Sequence, residues 1–183
     1  MGAEQTREEI VLVSASLLAE RGIVGTTMRA IADGCSIKSA SLYFHFRSKD
    51  EIVAEVMNRS SAHIVGLYAG IRAADLAPAG TLEALIRATL TNFQVHREAA
   101  RMFYENPEYV ADAPLLEQVR QDGIQNDAMW TEAITSGIAA GDVRGDIHPG
   151  RLKLLIRNMM LSTCRDIDPA RLPDLIDDVV GLL

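Results

Sequence analysis

The sequence predicts an all-α fold: an N-terminal three-helix helix-turn-helix domain over residues 1–50 and a C-terminal helical domain over residues 51–183. Three observations carry this. Apolar residues recur at helical rather than alternating spacing along nearly the whole chain. Short proline- or glycine-bearing segments at 77–80, 106–107, 113–114 and 141–150 cut it into helix-length runs. Residues 26–51 read as two short helices around a tight turn, followed by a capped third.

In the first domain, Met28, Ile31 and Ala32 sit at helical spacing ahead of Gly34-Cys35-Ser36, and Ile37, Leu42 and Phe46 resume a buried set after that turn. The second helix of the motif carries Lys38, Ser39, Ala40, Ser41, Tyr43 and His45, a hydroxyl-rich, weakly basic face with one small residue among them. Such a face can approach DNA closely: hydroxyls and helix amides position a protein on phosphates, and side chains near the helix start reach base edges in the major groove. Tyr43, among polar neighbours, is expected to point outward, whereas Phe44 and Phe46 are expected in the core. Ser48-Lys49-Asp50-Glu51 opens the third helix as a capping box, with Lys49 in its first turn available to a phosphate.

Past Asp50, the positions Ile52, Val53, Val56, Met57, Ile64, Leu67, Tyr68 and Ile71 form one long amphipathic stripe that leaves the first domain. Ala77-Pro78-Ala79-Gly80 breaks it, and a helix starting at Thr81 carries Leu82, Leu85, Ile86, Thr89, Leu90 and Phe93 at helical spacing. Asn106-Pro107 and Ala113-Pro114 bracket a short, broken section, a long helix is expected from Pro114 to Ala140, and residues 141–150 form a turn-rich connector. Two last helices, about 149–165 and 169–183, hold more apolar residues than one face accommodates. Leu152, Leu155, Ile156 and Met159 in one, with Leu175, Ile176 and Val179 in the other, are expected to form a two-fold homodimer interface; the other reading is that both helices close the core of a single chain.

A chain of 183 residues, 48% hydrophobic and 23% charged, can bury one sizeable core or two small ones, which excludes disordered and fibrous classes. A net charge of -7 looks unfavourable for contact with nucleic acid, but residues 1–60 carry only -1 and residues 61–183 the remaining -6. From Arg29 to Lys49, four basic residues stand against the single Asp33. So modest a patch implies salt-sensitive DNA binding that gains affinity from two linked sites.

Cys35 and Cys164 fit no metal or redox spacing, and His63, His96 and His148 are too widely spaced for a recognisable ligand set, so no metal or cofactor is expected. With no signal-peptide pattern and no apolar run of about 18 residues, a cytoplasmic setting and no membrane partner are expected. An enzyme needs a nucleophile, a base and an orienter; His96 with Glu98 or Glu105 is the nearest pairing and lacks a nucleophile, so the chain is expected not to be an enzyme. A helical interaction module that keeps the motif as scaffold stays open beside the DNA-binding reading.

Over residues 8–57 the chain resembles the N-terminal domain of TetR-family transcriptional regulators. Leu18-Ala19-Glu20-Arg21-Gly22 is similar to the end of that family's first helix, Thr26-Thr27-Met28-Arg29-Ala30-Ile31-Ala32 to its second, and Leu42-Tyr43-Phe44-His45-Phe46-Arg47-Ser48-Lys49 to its recognition helix and the entry to the next. The resemblance implies that Thr27 caps the second helix and touches phosphate, that Tyr43 and Lys49 bind phosphate, and that Lys38, Ser39, Ala40 and His45 lie nearest the bases. Three positions depart from the pattern: Ser36 replaces the usual turn glycine, Lys38 a capping serine, and Ala40 a glycine beside the DNA. The family also implies a double-stranded operator, a homodimer with recognition helices about 34–36 Å apart, and a small-molecule effector whose binding releases the operator.

Phe93, His96, Arg97, Met102, Phe103, Tyr104, Tyr109, Asn126, Met129, Trp130, Asn158 and Met160 mix soft apolar groups with a few polar ones, suiting a largely apolar effector with a polar handle. Residues 125–130 and 137–141 resemble TetR-like repressors of fatty-acid and steroid catabolism that respond to acyl-CoA thioesters. That likeness implies Arg97, Arg101 or Arg157 as partners for coenzyme A phosphates.

Overall fold

The helices follow the apolar period of the sequence. A computed structural model describes residues 3–166 together with Asp174, Ile176, Asp178, Val179 and Gly181. Over 3–166 these form α1 (Ala3–Gly25), α2 (Met28–Gly34), α3 (Ser39–His45), α4 (Lys49–Ala73), α5 (Pro78–Val95), α6 (Arg97–Glu105), α7 (Pro107–Asp112), α8 (Glu117–Ala140) and α9 (Pro149–Asp166). A 3-10 turn at Pro114–Leu116 precedes α8, and no strand occurs among the described residues. The helix expected over 169–183 lies largely outside them.

Prolines open helices here. Ala77 is the N-cap of α5 and Pro78 its first residue, so that helix begins three residues before the expected Thr81. Pro107 and Pro114 start α7 and the 3-10 turn in the same way. The expected long helix therefore begins at Glu117 rather than Pro114.

Packing divides the chain into Met1–Ser61 with Glu98–Gln121, and Ala62–Arg97 with Asp122–Leu183. This differs from the boundary expected at residue 50, for two reasons. Ile52, Val53, Val56 and Met57 of α4 are buried in the same core as Ile10, Leu18, Ile31, Leu42 and Phe46. Ala99 and Met102 of α6, Val110 of α7, then Leu116 and Val119 return to that core.

In the second unit, Leu82, Leu85 and Ile86 of α5 are fully buried, and α5 packs on α9. Buried Leu152, Ile156 and Met160 recur four apart on α9, one helical face. A Cβ added to Gly137 would lie 2.6 Å from Val143 Cγ2, so the end of α8 and the loop after it close up only over a glycine. Among the described residues no helix is long and apolar enough to cross a membrane.

Candidate nucleic-acid interface

The helix-turn-helix is built from local caps. The Thr27 hydroxyl accepts a hydrogen bond from the Ala30 amide at 3.1 Å and so caps α2. At the other end the Ser36 amide donates to Asp33 O at 3.1 Å and the Ile37 amide to Ala32 O at 3.0 Å, the paired bonds of a Schellman motif. Ser36 holds the left-handed position of that motif at φ 55°, so the turn forms without the glycine usual there. Ile37 then packs against the core, and the chain enters α3 through an extended Lys38 that makes no side-chain cap.

Two residues anchor α3: Leu42, fully buried, and Phe46 just past its end. Lys38, Ser39, Ala40, Ser41 and Tyr43 are exposed, and His45 is half-buried. Phe44 corrects the expectation that it belongs to the core, being 82% exposed with its ring edge-on to His45 at 5.4 Å. The reason is helical phase: Phe46 lies four residues after Leu42 and shares its face, whereas a residue two positions on is rotated by about 200°.

Ser48 and Glu51 open α4 as expected, with one difference. Ser48 Oγ accepts from the Glu51 amide at 3.2 Å, but the Glu51 carboxylate reaches the Arg47 amide at 2.8 Å, one residue before the cap. Lys49 turns to α1, donating to the carbonyl of Ile23 and to that of Thr26, the latter at 2.9 Å. There it covers carbonyls at the end of α1, just after Gly22, whose φ of 76° interrupts the helix. Thr26, itself buried, donates from its hydroxyl to Gly22 O at 2.8 Å.

An ionic network absent from the sequence reading ties α1 to α4. The Arg7 guanidinium lies 4.6 Å from the centre of the Phe46 ring and pairs with Glu55 at 2.9 Å. Arg59 bridges Glu55 at 3.0 Å and Glu8 at 2.6 Å. Hydrogen bonding from Arg7, then from Arg59, holds the Glu55 carboxyl below the usual carboxylate range against the opposing effect of burial. Arg7 and Glu55 are 48 residues apart, beyond the reach of any pattern-based reading.

The expected effector residues are distributed over both units. Met102, Phe103 and Tyr109 belong to or pack on the first unit's core, half-buried Tyr104 sits edge-on to Phe103, and Arg101 pairs with Glu105 at 3.5 Å. The second unit holds buried Phe93, Met129, Trp130 and Met160, half-buried His96 and Asn126, and exposed Arg97, Asn158 and Arg157.

Within that second unit runs a buried polar ladder between α4, α5 and α8. Trp130 Nε1 donates to Tyr68 Oη at 2.7 Å, Tyr68 and Thr89 share a 2.6 Å hydrogen bond, and Thr89 donates to Leu85 O at 2.8 Å. Beside it, His63 Nδ1 meets Asn92 Oδ1 at 2.8 Å, and the rings of His63 and His96 lie 5.2 Å apart. Two histidines widely spaced in sequence thus come together, but no group of three metal-ligating side chains forms among the described residues. Thr89 and Asn92 on α5 and His96 at its C-terminal cap recur at three- and four-residue spacing, a signal already present in the sequence.

The expected dimer residues also divide. Leu152, Ile156, Ile176 and Val179 are buried within the chain, so they close its own core; Met159 is half-buried and Leu155 is 51% exposed. Leu154, at 45%, stands beside Leu155. Leu175 lies outside the described residues.

A family model, that of the bacterial regulatory proteins of the tetR family, matches residues 10–56. The transcriptional repressor KstR2 of Mycolicibacterium smegmatis is 31% identical over 83% of this chain and 74% of its own length. The chain belongs to the TetR family. KstR2 of Rhodococcus jostii is 30% identical over 80% of this chain and 72% of its own. The structure of the ketosteroid regulator KstR2 of Mycobacterium tuberculosis superposes with a TM-score of 0.87 at 27% identity, over 96% of this chain and 93% of that one. AibR, solved in complex with isovaleryl coenzyme A and operator DNA, shares the fold, with a TM-score of 0.79 at 21% identity over 97% of each chain. As a TetR-family member the chain is a ligand-responsive, DNA-binding transcriptional repressor, and α2, the turn and α3 are its helix-turn-helix.

Proposed function

We propose that this repressor binds a two-half-site operator as a homodimer and leaves it when a coenzyme A thioester with a bulky apolar acyl group enters the Ala62–Arg97 and Asp122–Leu183 unit. The observation that carries the DNA half of this reading is the outward face of α3, with Ser39, Ala40, Ser41 and Tyr43 exposed over a helix pinned by Leu42 and Phe46. Thr27, Ser41 and Tyr43 take phosphates, and Lys38, Ser39, Ala40 and His45 face base edges.

The thioester class is supported by the likeness to AibR, solved with isovaleryl coenzyme A, and by the second unit's composition, and the likeness to the ketosteroid regulator KstR2 supports a bulky apolar group. Phe93, Met129, Trp130 and Met160 offer soft apolar surface, and the Tyr68–Thr89 and His63–Asn92 pairs offer the polar groups that orient a ligand carbonyl. Release requires that the thioester prefer the conformation that fits the operator less well. For the dimer, Leu154 and Leu155 give α9 an exposed apolar edge beside its buried face. Carboxylates at both positions are expected to yield a monomer by sedimentation.

The test is operator binding by the purified protein, at low and moderate salt, with and without a panel of coenzyme A thioesters. Trp130 is the chain's single tryptophan, so its fluorescence reports entry of the effector beside Tyr68. Operator release and a Trp130 signal at matching thioester concentration support the reading. Operator binding indifferent to every thioester removes that ligand class and leaves the repressor.

A further inference from the structure

α3 has seven residues, and its crest is apolar. Rotating by about 100° per residue from buried Leu42 puts Ala40 and Phe44 on either side of the direction opposite the core, within about 40° of each other. Both are exposed, Phe44 by 82%. Ser39 and Tyr43 flank this strip on one side, Ser41 and His45 on the other, and the edge-on contact with His45 leaves the Phe44 ring standing away from the core. The recognition helix thus carries polar groups along its flanks and a methyl and a phenyl along its ridge.

Flanks and ridge meet different parts of a duplex. Hydroxyls and a phenol beside the ridge serve phosphates on the groove walls, while the ridge itself enters the groove. Along the major-groove floor the base edges present hydrogen-bond donors and acceptors and a single kind of apolar group, the thymine C5-methyl. A largely exposed phenyl with no donor or acceptor gains there only by covering such a methyl. Against a phosphate, a cytosine amino group or a guanine edge it would strip water from a polar group and return no hydrogen bond.

We infer that Phe44, with Ala40 beside it, is a specificity-determining residue that reads a thymine methyl in each operator half-site. The inference rests on the operator-binding reading and adds to it a base identity and a residue that selects it. Phe44 discriminates by shape and apolar contact, so the selected base pair is A·T with its thymine on the strand facing the ridge.

Exchanging thymine for deoxyuridine deletes the methyl alone and keeps every hydrogen-bonding group, so the test uses that exchange. Duplexes selected by the protein from a random library are resynthesised with single thymines replaced by deoxyuridine, and affinities are measured for the full-length protein and for Phe44→Ala and Phe44→Leu. At one thymine per half-site the exchange is expected to weaken the unaltered protein roughly fourfold, the value of one buried methyl group. Phe44→Ala is expected to lose sensitivity at that thymine and keep it elsewhere, and Phe44→Leu to keep most of it. Phe44 is exposed, so both variants should fold, which circular dichroism checks.

The inference is overturned if no deoxyuridine exchange changes affinity, if the selected half-sites lack a common thymine, or if Phe44→Ala keeps the same methyl sensitivity. A uniform weakening by Phe44→Ala on all sequences also overturns it, marking backbone packing instead of readout. Failure to enrich any sequence removes the operator-binding reading as well, so the two failures are distinct.

Discussion

The Tyr109 hydroxyl donates a 2.7 Å hydrogen bond to Asp50 Oδ1, joining α7 to the first turn of α4 across 59 residues of sequence. Expected among the effector contacts, Tyr109 packs instead on the first unit's core, where it holds the helix that comes directly after the recognition helix. Burial first, then the bond and charge of Asp50, push the phenol well above its ordinary ionisation range, so it stays a donor throughout physiological pH. Tyr109→Phe deletes that donor and little else. Hydrogen bonds to charged groups contribute about 1.5–3 kcal/mol, and partial exposure places this one at the lower end. Urea denaturation is expected to show a loss of about 1.5 kcal/mol, with operator affinity falling in parallel; an unchanged midpoint would remove the clamp.

Ser36 makes the opposite prediction. At φ 55° its Cβ opposes the left-handed backbone of the Schellman turn, and its side chain is exposed, so nothing offsets the strain. The left-handed conformation costs a residue with Cβ about 1–2 kcal/mol, of which glycine returns part through its freer unfolded chain. Ser36→Gly should raise stability by about 0.5–1 kcal/mol, and Ser36→Val should lower it. Thermal unfolding of the pair gives both signs.

Acid sensitivity is expected at the α1–α4 junction. Glu55 has its folded-state ionisation depressed below the ordinary 4.5. Its contribution is therefore fully present above that value and lost as pH falls through the lower folded one. Glu55→Gln should flatten the dependence of melting temperature on pH below about 4.5 and leave the neutral-pH slope alone. The exposure of Arg7 and Glu55, 39% and 28%, limits the pair to about 1 kcal/mol. A variant whose acid limb matches the unaltered protein would place the sensitivity elsewhere.

Lys49 separates two roles by experiment. In the free protein its ammonium holds the carbonyls of Ile23 and Thr26, whereas the family resemblance implies a phosphate contact. Lys49→Met should lower stability by about 1–3 kcal/mol because the partly buried carbonyls lose a charged donor. If the lysine also neutralises a phosphate, the slope of log affinity against log salt falls by about 1 per protomer. A stability loss with an unchanged slope assigns Lys49 to α1 alone.

The helix-turn-helix was legible because its determinants are local. Thr27 lies three residues from the amide it caps, Ser48 three from Glu51, and Leu42 and Phe46 share a face by spacing alone. That same spacing already placed Phe44 outside, and its aromatic character was the misleading cue. The destination of α6 and α7 was not legible, since Met102 and Val110 would suit either core equally well. The Arg7–Glu55 and His63–Asn92 pairs are likewise set by helices meeting in space, 48 and 29 residues apart. On α9 the period identified an apolar helix, but only burial separated Leu152 and Ile156 from Leu154 and Leu155.

The first unit takes in residues on both sides of α5, and that affects how the protein is made. A nascent chain that has exposed Ser61 to solvent still lacks Ala99, Met102, Val110, Leu116 and Val119, which close the core around Ile52, Val53 and Met57. The first unit is therefore completed only after the first segment of the second, Ala62–Arg97, has left the ribosome. A truncated product released early holds a recognition helix on an open core and makes a poor competitor for the operator. For the same reason, grafting this unit onto another regulator requires two cuts, carrying Met1–Ser61 and Glu98–Gln121 together.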